Sequence, residues 1–151
     1  MKPAVRTARN CRTRRGTTLV EQLTVMSMLG VLAAIGVVGA ARLLDATWTH
    51  VVARDSRDLI ALARDQATAT GTRTAVRFDD VTHRIVVHAG TDTIARYEAL
   101  EHGGVTLRST RDSMAYTPSG LGYGAANLRL VLRKGASAET ITVSRLGRVS
   151  R

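Results

Sequence analysis

The fold of this chain is decided by a stretch near its N-terminus, which reads Arg14-Arg-Gly-Thr-Thr-Leu-Val-Glu-Gln-Leu-Thr-Val-Met-Ser-Met-Leu-Gly-Val-Leu-Ala-Ala-Ile-Gly-Val-Val38. A basic leader ends at Gly16, and an apolar run follows that is interrupted early by one carboxylate, Glu21. The section from Leu23 to Ala41 holds 19 residues and no charged side chain. As a helix it would extend roughly 28 Å, about the hydrocarbon thickness of a bilayer. The stretch therefore predicts a membrane-spanning helix.

This arrangement resembles the N-terminus of type IV pilins and type II secretion pseudopilins. The pattern of that family is a short basic leader, a glycine at the cleavage point, glutamate as the fifth mature residue, and an apolar helix. Gly16 and Glu21 stand in that register. The chain departs from the pattern at Thr17, where the family usually has Phe or Met, and in carrying glycines where the family has a proline in the helix.

The resemblance implies processing by prepilin peptidase between Gly16 and Thr17, followed by N-methylation of Thr17. The new amine would then lie four residues before Glu21. A carboxylate inside a membrane helix costs about 2.5–3.5 kcal/mol at the centre, less near the interface, and such groups usually have a partner. The resemblance implies that Glu21 pairs with the mature N-terminus of a neighbouring subunit during assembly. The competing interpretation is a membrane-border glutamate without a special role.

An ordinary secretory signal is the alternative for the whole segment. Cleavage would then follow Gly39-Ala-Ala41, since such signals have a basic start, a shorter apolar core and small residues at the cut. Glu21 and Gln22 fit poorly in that core. We therefore favour the prepilin interpretation.

The chain of 151 residues leaves room for one domain beyond the membrane segment. The predicted parts are a leader (1–16), a transmembrane or filament-core helix (17–41), an amphipathic continuation of that helix (42–71) and a β-rich globular part (72–151). The leader carries six cations and no acid, which by the positive-inside rule holds the N-terminus in the cytoplasm. The prediction is a single-pass protein of the inner membrane with its C-terminal part outside the cytoplasm.

Residues 42–71 show helical periodicity. Leu44, Trp48, Val52, Leu59 and Ala63 recur at steps of three, four or seven residues and predict one apolar stripe that packs against the remainder of the chain. Gly71 is the predicted end of the helix.

After that glycine the apolar period changes to two. Strands are predicted at 72–78, 84–88, 93–97, 105–109, 128–132 and 140–144. Residues 114–117 lead into the segment 118–124, which is too rich in glycine for regular structure. The predicted fold class is α+β and pilin-like, with a long N-terminal helix packed on antiparallel sheet.

A narrower resemblance is to the GspH/FimT group of minor pseudopilins. It rests on the helix end and first strand (59–78), the segment 116–120, the two late strands and Gly147-Arg148. It implies a structural subunit of a type II secretion pseudopilus or a type IV pilus, whose partners are prepilin peptidase, other pilins or pseudopilins and the inner membrane.

No catalytic or metal-binding pattern is found in the sequence. The four histidines lack metal-ligand spacing and are expected at the surface, and Asp79 and Asp80 are expected to be turn acids. Ser119 has no base nearby, and the glycines at 120–124 lack the lysine of a phosphate loop. The only cysteine, Cys11, lies in the leader, so the mature chain would have no thiol. The prediction is a protein that is not an enzyme and needs no cofactor or metal.

The net charge of +10 is unevenly distributed. The leader holds +6, residues 17–104 hold −2, and residues 105–151 hold +6. The FimT-like members linked to DNA uptake end in Gly-Arg-x-Arg, and this chain ends in Gly147-Arg-Val-Ser-Arg151. The alternative function is therefore a pilus-associated DNA-binding protein for natural transformation. Its candidate residues, expected to become adjacent if the last two long strands pair as a hairpin, are Arg133, Lys134, Arg145, Arg148 and Arg151. The competing interpretation is a solvated basic face or a contact with another pseudopilin.

Overall fold

The computed structural model describes residues 17–123 and 128–150, and it separates two compact units between Val37 and Val38. One helix, α1 (Leu19–Thr70), precedes nine strands. The strands are β1 (Thr74–Asp79), β2 (Arg84–Ala89), β3 (Asp92–Glu98), β4 (Thr106–Ser109), β5 (Ser113–Tyr116), β6 (Gly122–Tyr123), β7 (Leu128–Lys134), β8 (Ser137–Val143) and β9 (Val149–Ser150).

The helical residues up to Val37 are mostly apolar, and all of them are exposed. Leu19, Met28, Leu32 and Ile35 each expose between 65% and 76% of their surface. Helix α1 is long and apolar enough to cross a membrane, judged by length and composition. Within its most apolar window no residue is buried against the part of the chain that the structure describes. The fold therefore does not itself account for this run of apolar side chains.

The strands form two antiparallel sheets, which confirms the predicted α+β class. Sheet 1 has the order β3-β2-β1-β5-β6, and sheet 2 has the order β4-β7-β8-β9. Each of the six predicted strands is present, with ends shifted by up to three residues. The segment 118–124 departs from prediction, because its Gly122–Tyr123 pairs with β5 as a short edge strand. That pairing is possible because Thr117 N–H donates to Leu121 O at 2.9 Å and closes the turn.

The buried face of α1 differs from the predicted stripe. Leu44 is 60% exposed and Trp48 is 39% exposed, so both were wrongly assigned to the core. The buried positions are Thr49, Val52, Ala53, Ser56, Ile60, Ala63 and Ala67. Most of these side chains are small. The hydroxyls of Thr49 and Ser56 each donate to a carbonyl four residues earlier at 2.7 Å, so neither is buried without a partner.

Two polar contacts join the sheets at the core. Tyr116 of sheet 1 is fully buried, and its hydroxyl donates to Gly147 O at 3.0 Å, beside sheet 2. Burial raises the pKa of Tyr116 above its usual value. His83 is half-buried rather than on the surface as predicted, and its Nδ1 accepts from Leu107 N–H at 3.2 Å. These contacts hold β8–β9 and β4 against sheet 1.

Candidate functional site

The first turn of α1 is capped by its own sequence. Thr18 Oγ1 accepts from Glu21 N–H at 3.3 Å, and Thr18 O accepts from Gln22 N–H at 3.2 Å. Thr18 is thus the N-cap, and Thr18-Leu-Val-Glu21 has the spacing of a capping box. This cap was not among the predictions, although the Thr-x-x-Glu spacing is the signal that identifies it. The Gln22 amide also donates to Thr17 Oγ1 at 3.1 Å.

Glu21 is exposed in the first turn, where the helix dipole favours an anion. None of the salt bridges found among residues 17–123 and 128–150 includes its carboxylate. Thr17 is also exposed, and Gly16 lies outside the described residues. Among the described residues, the Glu21 carboxylate therefore has no cationic partner, and it lies four residues after Thr17.

The predicted basic residues do not form one cluster. The last two long strands do pair as a hairpin, with Arg133 opposite Ala138 and Lys134 opposite Ser137. Arg145 and Arg148, however, belong to the turn at the other end of β8. Six residue steps of strand separate the two ends, which is about 20 Å. The expected adjacency is therefore wrong, because a hairpin brings together the residues beside its own turn.

Lys134 already has partners within the fold. Its Nζ lies 3.5 Å from Asp45 Oδ1 and 5.9 Å from the centre of the Trp48 ring. Arg145 and Arg148 are exposed, and none of the salt bridges found in the described part of the chain includes either of them. Arg151 lies outside the described residues. Of the four predicted DNA-binding residues that the structure describes, Lys134 is thus the least available to a ligand.

Two further arginines lie near Arg133. Arg129 lies on the same strand, β7, and is exposed on the same face of sheet 2. Arg108 of β4 pairs with Val131, which lies between Arg129 and Arg133 along β7. Neither Arg108 nor Arg129 was among the predicted site residues. The alternation Leu-Arg-Leu-Val-Leu-Arg in β7 is the signal that could have placed Arg129 and Arg133 together.

A buried carboxylate connects α1 to sheet 2. Glu139 of β8 has a side chain that is only 8% exposed, with His50 Nδ1 at 2.9 Å and Arg57 at 3.6 Å. Both partners lie on α1, so the contact fixes the helix against the sheet. The Glu139 carboxylate thus faces α1 and links the helix to sheet 2.

No cluster of three or more possible metal-ligating side chains occurs within residues 17–123 and 128–150. Asp79 acts as a turn acid, as predicted. The Thr82 hydroxyl, followed by the backbone N–H groups of Thr82 and Val81, holds the pKa of Asp79 below its usual value.

Comparison with known proteins places this fold in a family. The profile described as Type II transport protein GspH matches residues 52–147, and the chain belongs to that family. A search of curated proteins gave no significant match.

Two solved structures share the architecture. The type IV minor pilin FimU of Pseudomonas aeruginosa is 11% identical, with a TM-score of 0.58 over 68% of this chain and 86% of its own. The minor pseudopilin EpsH from the type 2 secretion system of Vibrio cholerae is 16% identical, with a TM-score of 0.54 over 68% of this chain and 94% of its own. The family is therefore that of the type II transport protein GspH, and the fold is the one that these two proteins share.

Proposed function

We propose that this protein is a minor pseudopilin, a structural subunit of a type II secretion pseudopilus or a type IV pilus. The observation that carries the proposal is the apolar run of α1, whose side chains are exposed although the compact part of the chain has a complete core of its own. Such a run requires an apolar environment, which a bilayer supplies before assembly and neighbouring helices supply within a filament.

The same proposal includes cleavage between Gly16 and Thr17 by prepilin peptidase and N-methylation of Thr17. The basic leader holds the N-terminus in the cytoplasm, and the globular part lies beyond the inner membrane. Intact-mass measurement of the membrane-extracted protein should show the loss of residues 1–16 and the addition of one methyl group. A mature chain that begins at Met1 or at Arg42 would contradict the proposal.

Glu21 is proposed to pair with the amine of a neighbouring subunit. Support comes from its exposed carboxylate, which has no cationic partner in the described residues, and from its place four residues after Thr17. Glu21→Gln removes the charge, and we expect normal cleavage and membrane insertion but weak cross-linking to other pilins. Gln22→Ala is the control, since it changes the adjacent exposed residue without changing the charge. Normal cross-linking of Glu21→Gln would count against the pairing.

A pilus-associated DNA-binding protein is the second candidate function. The observation in its favour is that Arg145 and Arg148 are both exposed at the turn between β8 and β9. Because Arg133 and Lys134 lie at the far end of β8, the second candidate depends on the turn itself and on Arg151. Replacement of Arg145 and Arg148 by Gln should weaken binding of duplex DNA, and unchanged binding would remove this turn as the site.

A further inference from the structure

Sheet 2 presents an arginine face, which we define as Arg108, Arg129 and Arg133 on the side turned away from the core. All three side chains are exposed, while Leu107, Leu130 and Leu132 on the opposite side are fully buried. The register fixes this arrangement, because Arg108 pairs with Val131 and the arginines of β7 flank that valine on either side.

The three arginines occupy neighbouring backbone positions on the outward side of sheet 2. Arg129 and Arg133 are four residues apart along β7, which is about 13 Å. Arg108 is diagonal to each of them, at a backbone separation of about 7–8 Å. None of the ion pairs found in residues 17–123 and 128–150 includes one of these groups. Like charges at this spacing repel one another, and an anionic ligand would remove that repulsion.

The rest of this face carries no opposing charge. The other outward positions of its described strands are Thr106, Val131, Ala138, Thr140, Thr142 and Ser150, as the pairing register shows. None of these is acidic. Thr140 and Thr142 of β8 supply hydroxyl groups beside the arginines, while the Thr106 hydroxyl donates to Arg133 O at 3.1 Å. The carboxylate of this sheet, Glu139, faces the opposite way, towards α1.

The chemistry of the face favours phosphate over an acidic peptide. A peptide needs an apolar anchor for much of its affinity, and Val131 is the one large apolar side chain among the outward positions just named. Phosphate groups need only cations and hydroxyl donors. Single-stranded nucleic acid would call for aromatic rings on which bases stack, and those positions include none.

We propose that the arginine face binds the phosphate backbone of duplex nucleic acid. Arg129 lies beside Thr142, which pairs with Ser150 of β9, so the face extends towards the turn that holds Arg145 and Arg148. The arginine face thus lies between the two ends of β8, with Arg133 opposite Ala138 at one end and Arg129 opposite Thr142 near the other. The site does not depend on the role in a filament. It rests on the second candidate function, DNA binding, and extends the binding surface from the turn that holds Arg145 and Arg148 to the outward side of sheet 2. Such a surface would contact the phosphate backbone and not the bases.

The test is a titration of duplex DNA with the full chain in nanodiscs of zwitterionic lipid, at several salt concentrations. The triple variant Arg108→Gln, Arg129→Gln, Arg133→Gln is compared with a control triple, Arg54→Gln, Arg77→Gln, Arg96→Gln. The control removes the same charge from exposed arginines elsewhere. Residues 1–16 carry six cations, and their contribution is constant across the variants.

The arginine-face variant should bind at least about tenfold more weakly at low salt. Its slope of log affinity against log salt should fall by about 2–3, since each phosphate contact contributes about 0.9. The control triple should keep the wild-type slope and lose less than about threefold in affinity, so equal effects of the two triples would overturn the site. A loss confined to Arg145→Gln with Arg148→Gln would leave the second candidate function standing and refute the arginine face.

Two competitors separate the classes of ligand. Polyglutamate of equal charge should displace duplex DNA poorly, and single-stranded DNA should bind no tighter than duplex. Displacement by polyglutamate as effective as by unlabelled duplex would assign the face to an acidic protein instead. Membrane insertion and cleavage of the triple variant should equal those of the wild type, which distinguishes failure of this site from failure of the proposed subunit role.

Discussion

The early and late sections of α1 have different relations to the rest of the molecule. Up to Leu44 the large apolar side chains are exposed, whereas from Thr49 onwards one stripe of mostly small residues is fully buried. The early section is the more apolar of the two, yet it contributes nothing to the described core. A high content of large apolar residues therefore marks the early section of α1, which does not pack within the chain. Small residues, and hydroxyls whose hydrogen bonds are made within the helix, mark the buried face of the late section.

The sharpest test of this difference compares alanine substitutions at Leu32 and Ile60. Leu32 is 65% exposed and Ile60 is fully buried. Ile60→Ala should lower the free energy of unfolding of the compact part by about 2–5 kcal/mol, because it leaves a cavity. Leu32→Ala should change that free energy by less than about 0.5 kcal/mol. Denaturant unfolding followed by the fluorescence of Trp48, the only tryptophan, measures both, and equal losses would contradict the comparison.

A second pair of variants tests the boundary between the two sections, where Trp48 packs on Gly103. Both Gly103 and Gly104 adopt left-handed backbone angles, with φ of +81° and +72°. A side chain at Gly103 would strike the Trp48 ring, whereas Gly104 has open space.

Gly104→Ala should cost about 1–2 kcal/mol of stability from backbone strain. Gly103→Ala should cost about 1–3 kcal/mol more, because the ring must move. Thermal unfolding followed by circular dichroism gives both values, and Trp48 emission should shift in Gly103→Ala alone. Equal losses of stability in the two variants, without a shift in Trp48 emission, would show that the Trp48 ring is not packed against Gly103.

The smallest predicted effect concerns a polar contact of the packed section. The Tyr97 hydroxyl donates to Asp55 Oδ2 at 2.8 Å, and burial, followed by that hydrogen bond, raises the pKa of Tyr97 above its ordinary value. The unfolded chain loses this proton near pH 10, so the contribution of Tyr97 is complete below that pH and is lost as the pH rises further.

Tyr97→Phe should therefore lower stability at pH 8 by about 1 kcal/mol and flatten its decline above pH 10. Tyr123→Phe, at a tyrosine that is 58% exposed, is the matched control and should change neither. Urea unfolding at pH 8 and pH 10.5 provides the comparison. If the free energy of unfolding of Tyr97→Phe falls between pH 8 and pH 10.5 by as much as that of the wild type, Tyr97 does not contribute to the pH dependence of stability.

Much of the fold could be predicted because side chains alternate between buried and more exposed along β1, β2, β7 and β8. The helix face could not be predicted from large apolar residues, because its buried positions include Thr49, Ser56 and several alanines. The N-cap at Thr18 could have been predicted from the Thr-x-x-Glu spacing but was not. The predicted basic cluster was wrong because of the strand connections. Arg133 and Lys134 lie beside one end of β8, Arg145 and Arg148 lie beside the other, and the two ends are about 20 Å apart.

The central claim is that the early section of α1 lies in an apolar environment while the late section belongs to a domain outside the membrane. Single cysteines at Leu32 and at the exposed Asp58, in a chain with Cys11 replaced by Ser, test it directly. A membrane-impermeant maleimide is added to cells with a permeabilised outer membrane. The account predicts strong labelling of Asp58→Cys and none of Leu32→Cys until detergent is added. Equal labelling of both cysteines before detergent would contradict it.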